Sequence, residues 1–173
     1  MVGQVKFSSD IKVTNGTPYK VVDAATKEYI SLDNGHIVSA KVAGAFVTLQ
    51  YFEAKTMKEV SRKEYEDFPK YAKFQKLLKL DGKLFYIFEA YNKKEKTFSV
   101  YSREINTSNG TFNKINKLFT SNGVVTNTKA EYAHMAPTGR MSFGAAGGQK
   151  FEVLSSFDNS KIAIAYRRKP ETK

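Results

Sequence analysis

The run Leu80-Asp81-Gly82-Lys83-Leu84-Phe85-Tyr86-Ile87-Phe88-Glu89-Ala90-Tyr91 opens on a turn dipeptide and continues as an apolar strand. Successive side chains of a strand point to opposite faces, so Phe85, Ile87 and Glu89 share one side while Leu84, Tyr86, Phe88 and Ala90 share the other. Apolar residues on both sides predict a strand buried on nearly both faces. Thr97-Phe98-Ser99-Val100-Tyr101-Ser102-Arg103-Glu104-Ile105 alternates more simply, with Phe98 and Val100 on one side and Ser99, Tyr101 and Arg103 on the other. The same period of two, in stretches rich in Val, Ile, Phe, Tyr and Thr, predicts strands near Tyr19–Asp23, His36–Val42, Phe46–Glu53, Lys58–Tyr65, Phe74–Leu80, Phe112–Phe119, Phe151–Phe157 and Lys161–Arg168. The fold class predicted is all-β.

Turn chemistry falls between these runs. Asp33-Asn34-Gly35 and Asp81-Gly82 tolerate positive φ, as two-residue hairpin turns require, and Asn109-Gly110 and Asn122-Gly123 repeat the signal. Glu66-Asp67-Phe68-Pro69-Lys70-Tyr71 reads as a crossover from one sheet to the next, because Pro69 cannot donate to a ladder. In the strand that follows, Lys73 falls opposite Phe74, whereas Lys76 shares its side with Phe74 and Leu78.

Three segments share one pattern: Leu32-Asp33-Asn34-Gly35-His36-Ile37-Val38, Leu80-Asp81-Gly82-Lys83-Leu84-Phe85 and Phe157-Asp158-Asn159-Ser160-Lys161-Ile162-Ala163. In each, an apolar residue and an Asp precede a short polar turn and an apolar strand. Asp33 and Asp81 are 48 residues apart, and Asp81 and Asp158 are 77 apart. A period near 48 filled with about four short strands matches one blade of a β-propeller. The surplus in the second interval coincides with Thr138–Gly148, which reads as an inserted or mobile loop. The expected organisation is a single β domain over 1–173, with blades at 19–68 and 69–120, an incomplete blade at 150–173 and an irregular loop at 121–149.

The segment Ser155-Ser156-Phe157-Asp158-Asn159-Ser160-Lys161-Ile162-Ala163-Ile164-Ala165-Tyr166 resembles the S-P-D-G-K-K-I-A-F unit of bacterial β-propeller repeats of the TolB-like or WD-like class. Phe157 stands where Pro is usual and Asn159 where Gly is usual. Thr56-Met57-Lys58-Glu59-Val60-Ser61-Arg62-Lys63-Glu64-Tyr65, within Phe52–Tyr101, is similar to runs in uncharacterised propeller proteins exported by Bacteroidota. The resemblance covers about two thirds of the chain. It implies antiparallel four-stranded blades and a periplasmic or cell-surface placement.

Propellers close into rings of about 4–8 blades, whereas 173 residues hold about three and a half units of 48. An open arc exposes the outer face of each terminal blade, and covering on the order of 400 Å² there is worth roughly 10 kcal/mol at ~25 cal/mol per Å². An incomplete propeller is therefore expected to be a piece of a longer chain or to be completed by a second copy. The alternative fold is a closed up-and-down barrel of about eight strands that holds a small apolar ligand.

Composition narrows the chemistry. There are 28 Lys+Arg against 17 Asp+Glu, a formal charge of +11, two His, no Cys and no Trp, and 41% of residues are hydrophobic, as in ordinary folded domains. The lack of Cys excludes disulfides, iron–sulfur clusters, thiolate zinc sites and a cysteine nucleophile, and two distant histidines exclude a His-rich metal centre. No apolar run is long enough for a membrane helix. Met1-Val2-Gly3-Gln4-Val5-Lys6 lacks the basic segment and apolar core of a secretory signal, so an exported form is expected to have lost its signal before this numbering begins.

No acid, base and nucleophile form a constellation, so the expectation is no enzyme, no catalytic residue, no cofactor and no metal site. Asp33, Asp81 and Asp158 read as turn residues whose side chains bond their own backbone two residues on, at corners too far apart for a catalytic carboxylate pair. Gly144-Ala145-Ala146-Gly147-Gly148-Gln149-Lys150 fits no phosphate-loop spacing and reads as a connector. No G-x-S-x-G elbow is present. His36 reads as an edge or surface residue, and His134 sits in irregular sequence. Asn15-Gly16-Thr17, Asn106-Thr107-Ser108 and Asn109-Gly110-Thr111 match glycosylation acceptors but read as turns first.

The positive charge is clustered at Lys70, Lys73, Lys76 and Lys79, at Lys93, Lys94 and Lys96, and at Arg167, Arg168 and Lys169. With Tyr71, Tyr91 and Tyr166 nearby, this is the pattern of phosphate contacts combined with stacking, although no nucleic-acid-binding signature accompanies it. Edge lysines also discourage sheet-to-sheet aggregation. Lys93, Lys94, Lys96, Arg167, Arg168 and Lys169 are the candidate polyanion-binding residues. The function expected is a non-catalytic interaction or structural module of an extracytoplasmic assembly, its exposed blade faces covered by a protein partner or by self-association. The alternatives are a ligand-binding barrel and a basic protein that binds nucleic acid or another polyanion.

Overall fold

Period-two patterning produces strands wherever one or both faces find an apolar partner. The computed structural model describes residues 24, 26–43, 45–121, 125–126 and 150–168, and these form three antiparallel sheets. In the first, β1 (Thr26–Ser31), β2 (His36–Ala43), β3 (Phe46–Glu53) and β4 (Glu59–Tyr65) lie side by side in chain order. In the second, β5 (Lys73–Leu80), β6 (Lys83–Asn92), β7 (Thr97–Asn106) and β8 (Thr111–Thr120) do the same. In the third, β9 (Val125–Thr126) and β10 (Phe151–Ser155) flank β11 (Ile162–Arg168). Among the described residues no sheet closes on itself as a barrel does.

β6 shows why the sheets stack. Leu84, Tyr86 and Phe88 on one face join Val38, Ala40, Val47, Leu49 and Tyr51 of the first sheet in a single core. On the other face Ile87 and Phe85 pack with Phe151, Val153, Ile162 and Ile164 of the third. The second sheet is thus the middle layer, and its central strand is apolar on both sides for that reason. Burying each such Leu, Ile or Phe contributes about 1.5–3 kcal/mol. β5 comes within 8 Å, Cα to Cα, of both β1 and β10. Face-packed sheets stand ~10 Å apart, so the sheets converge at the edge strands β1, β5 and β10.

At both interfaces a glutamate accepts amides of an edge strand. β5 and β10 are edge strands, and amides on the free side of an edge have no ladder partner. Glu28 of β1 accepts the Leu77 amide of β5 at 2.8 Å. Glu89 of β6 accepts the Lys150 and Phe151 amides at the start of β10, at 3.0 and 3.3 Å, together with Gln75 Nε2 at 2.7 Å. Burial pushes both carboxyls above the ordinary glutamate value, while the amide bonds pull the other way. A further contact at each interface involves a hairpin turn, the β1–β2 turn in one case and the β5–β6 and β10–β11 turns in the other. Asp33 Oδ1 takes Lys79 Nζ at 3.0 Å, and the Asp81 amide donates to the Asn159 carbonyl at 3.0 Å.

Between the first two sheets the decisive polar group is Arg103 of β7. Its guanidinium donates to both Asp67 carboxylate oxygens at 2.6 and 2.7 Å, and Nε donates to the Asn113 carbonyl at 2.7 Å. The same group lies 4.9–5.3 Å from the ring centres of Tyr65, Phe68 and Phe112. Farther along, the Tyr51 hydroxyl donates to Thr107 O at 2.6 Å, Ser61 Oγ donates to Asn109 O at 3.1 Å, and the Phe112 amide donates to the Tyr65 hydroxyl at 3.0 Å. Gly110 is required there: its φ is 68°, and a Cβ would meet the Tyr51 Cβ at 2.8 Å.

Some expectations need correction, and others fall outside the described residues. The strand expected near Tyr19–Asp23 lies outside the described residues, and β1 was not foreseen because Thr26, Lys27, Glu28 and Ser31 leave too few apolar positions to show a period. Phe74 and Leu78 face opposite cores, because a β-bulge between Phe74 and Lys76 resets the alternation. Of the three turn aspartates only Asp158 bonds its own backbone as expected, accepting the Ser160 amide at 3.1 Å; Asp33 instead reaches Lys79. Val125 and Thr126 form a short strand within the expected irregular loop, and the rest of 122–149 lies outside the described residues, as do His134, Asn15–Thr17 and Lys169. The far face of the first sheet is not open: Ser39, Lys41, Gln50 and Phe52 are at most 1% exposed.

The Arg103 guanidinium holds the Asp67 carboxyl below the ordinary aspartate value. Its stabilisation is present above that ordinary value and is lost as pH falls through the lowered one. Asp67→Ala is expected to cost about 2 kcal/mol at neutral pH, less than for a fully buried pair because Asp67 faces solvent. Urea unfolding of variant and parent should converge at a pH where Asp67 is protonated, and a gap that stays constant with pH would contradict this assignment. Glu89→Ala should remove the acceptor of the Lys150 and Phe151 amides at a cost of about 2–3 kcal/mol. Hydrogen exchange should then accelerate at Phe151 and across β11 while β2, β3 and β7 keep their protection.

Candidate functional site

The crossover between β4 and β5 places one aromatic ring where the core does not need it. The Ala72 amide donates to the Pro69 carbonyl at 3.0 Å, closing a turn over residues 69–72. Tyr71, at the third position of that turn, has φ of 66°. This is the place where a type II turn requires positive φ and ordinarily takes Gly. Holding a tyrosine there costs about 1 kcal/mol or more. Yet the ring is 45% exposed, so core burial does not repay the strain.

Two ammonium groups attend that ring. Lys93 Nζ, from the turn between β6 and β7, lies 4.8 Å from its centre, and Lys70 Nζ lies 5.5 Å away. A hydrogen bond from Lys93, with the charge of Lys70 adding, lowers the Tyr71 phenol below its ordinary value. The bond to Tyr71 in turn raises the Lys93 ammonium. The crossover separates two clefts. One, of about 350 Å³, is walled by Lys70, Tyr71, Tyr91, Lys93 and Tyr101. The other, of about 270 Å³, lies between the first two sheets among Val42, Val47, Phe68, Phe74 and Tyr86, with Lys70 at its rim. Among the described residues no carboxylate lines either cleft.

The walls of the first cleft are fixed by ring packing. Tyr101 stacks on Phe88 with centres 5.2 Å apart and planes at 13°, and Tyr91 leans on Phe98 at 4.7 Å. Asn92 Oδ1 accepts the Lys94 and Glu95 amides at 3.0 and 3.3 Å, which shapes the turn carrying Lys93. A rigid aromatic surface beside two cations and no carboxylate favours an anion with an apolar face.

The six candidate polyanion residues do not act as one group. Lys93, Lys94 and Lys96 share the β6–β7 turn and are exposed, but only Lys93 lines the cleft. Arg167 and Arg168 belong to β11 of the third sheet, and Lys169 lies outside the described residues. In the cluster at residues 70–79, Lys79 is engaged by Asp33, and Lys76 carries its charge near Glu28. Lys70 and Tyr71 belong to the basic and aromatic pattern of the sequence but not to the six candidates. They are separated from Lys93 by more than 20 positions, and no sequence spacing signals their meeting.

The remaining candidates have local roles. His36 stacks flat on Tyr51, 4.6 Å between centres, with Nδ1 3.1 Å from the Asn34 carbonyl oxygen. Asn106 Oδ1 and Asn109 Oδ1 accept the Ser108 and Thr111 amides within the β7–β8 turn, at 2.9 and 3.1 Å. Bonds from Ser156 and Ser160 hold the Asp158 carboxyl down to about 2. Among the described residues no three His, Asp or Glu side chains converge as metal ligands would. No family model, curated protein or solved structure matches the chain.

Tyr71→Gly removes the ring and relieves the positive φ at once. Stability is expected to stay within about 1 kcal/mol of the parent, since strain relief offsets lost contacts. Chemical denaturation measures it, and a loss several times larger would make Tyr71 a packing residue.

Proposed function

We propose that the chain is a non-catalytic interaction module of the β-propeller type, its three sheets being consecutive blades of an incomplete arc. The observation that supports this reading is that at both interfaces a glutamate of one sheet accepts amides of an edge strand of its neighbour. Glu28 of β1 holds the Leu77 amide within the edge strand β5, and Glu89 of β6 holds the Lys150 and Phe151 amides at the start of the edge strand β10. The Asp33–Lys79 and Asp81–Asn159 contacts lie at or beside the hairpin turns. Sheets that stack through a repeated joint can be extended by another of the same kind.

The third sheet is where extension occurs. Leu154 of β10 is 47% exposed and Phe157, in the β10–β11 turn, is fully exposed, whereas Ser39, Lys41, Gln50 and Phe52 on the far face of the first sheet are buried. In this reading another copy of the chain, or a partner with a similar sheet, covers that surface as part of an extracytoplasmic assembly. Periplasmic or cell-surface placement rests on the resemblance to exported Bacteroidota proteins. Among the described residues no helix is long and apolar enough to cross a membrane.

Sedimentation velocity tests the self-association. The parent chain is expected to sediment as a species larger than one copy, and Leu154→Lys to shift it to a single copy by burying a charge in the contact. A parent that remains a single copy at every concentration would remove self-association from the reading.

A further inference from the structure

We propose that the cleft beside Tyr71 binds an acidic sugar, a pyranose ring bearing a carboxylate or sulfate, with the ring face on Tyr71 and the oxyanion between Lys70 and Lys93. The inference stands apart from the assembly reading, because it uses the crossover and the β6–β7 turn rather than the third sheet. Its starting point is the misplaced tyrosine. A turn that would be relaxed with glycine instead carries an exposed ring at φ of 66°, and backbone strain of this sort gathers at ligand sites.

The chemistry of the walls selects the ligand class. Lys93 Nζ and Lys70 Nζ lie 4.8 and 5.5 Å from the centre of the Tyr71 ring, so two ammonium groups attend one aromatic ring, and among the described residues no carboxylate lines the cleft to oppose an anion. Tyr91 and Tyr101 offer further aromatic surface beside it. A pyranose places an apolar C–H face next to its charged substituent, which matches a ring beside two ammonium groups. Single-stranded nucleic acid also stacks on tyrosines, but it is held by a basic groove that follows successive phosphates. Here the wall supplies two cations, Lys94 and Lys96 of the same turn stay outside it, and Arg167 belongs to another sheet.

Isothermal titration of the full chain with tetragalacturonate, its uncharged methyl ester, monomeric galacturonate and single-stranded RNA tests the assignment. Tetragalacturonate is expected to bind at least tenfold more tightly than the ester, with a salt dependence corresponding to about two ion pairs. Tyr71→Gly should weaken it at least tenfold while the unfolding transition is kept, and Lys70→Gln with Lys93→Gln should remove most of the salt dependence. Monomer binding as tight as the tetramer's would assign the site to a free sugar acid, whereas tetramer preference would assign it to a polysaccharide. Equal binding of the ester, binding unchanged in Tyr71→Gly, tighter binding of RNA or no binding of either acid would each overturn the proposal.

Discussion

A guanidinium that cannot give up its charge sits between two sheets, and the packing around it follows from the need to satisfy it. Arg103 side-chain exposure is 7%, and an unpaired charge so buried would cost several kcal/mol. Asp67 neutralises it in a bidentate contact, the Asn113 carbonyl takes Nε, and three aromatic rings surround its faces. Asp67 and Phe68 both come from the crossover. The charge on β7 therefore fixes where the chain passes from one sheet to the next, and with it the position of Pro69, Lys70 and Tyr71.

The crossover is in this sense both fastener and platform. Phe68 turns inward, its ring 5.2–5.7 Å from those of Tyr86, Phe88 and Phe112, while three residues later Tyr71 turns outward. An anchored segment can hold a strained residue that a free loop would relax. The cleft and the core contact are thus two sides of one short stretch of chain. At the other interface a carboxylate does the comparable work, since Glu89 is buried and gathers the amides at the start of β10.

Much of the architecture was legible because alternation survives wherever a strand is apolar on a face. Phe85 and Ile87 against Leu84, Tyr86 and Phe88, and Phe98 and Val100 against Tyr101 and Arg103, fall in the cores their alternation implies. β1 was not legible, because an edge strand that contributes Ile30 to a core and Glu28 to a neighbouring amide has no run of apolar residues to display. The face of Phe74 was misread because a bulge inserts one residue without any local signature. Asp33 looked like a turn residue, and it does sit in a turn, but Lys79 lies within reach once the second sheet is stacked on the first. At the site, the basic and aromatic composition was visible, whereas the choice of Lys93 from its turn, and its meeting with Tyr71, was not.

Taken alone, the order of amino acids determined the strands with an apolar face, most of the turns that join them and the excess of positive charge, since these depend on composition and on neighbours one to four positions away. Only the tertiary structure decided which carboxylate meets which amide, which lysines are spent on ion pairs and which line a cleft. The physical reason is range: side-chain alternation is a property of consecutive residues, while the pairings of Arg103 with Asp67, Glu89 with Phe151 and Lys93 with Tyr71 arise from stacking that brings together residues 22 to 62 positions apart.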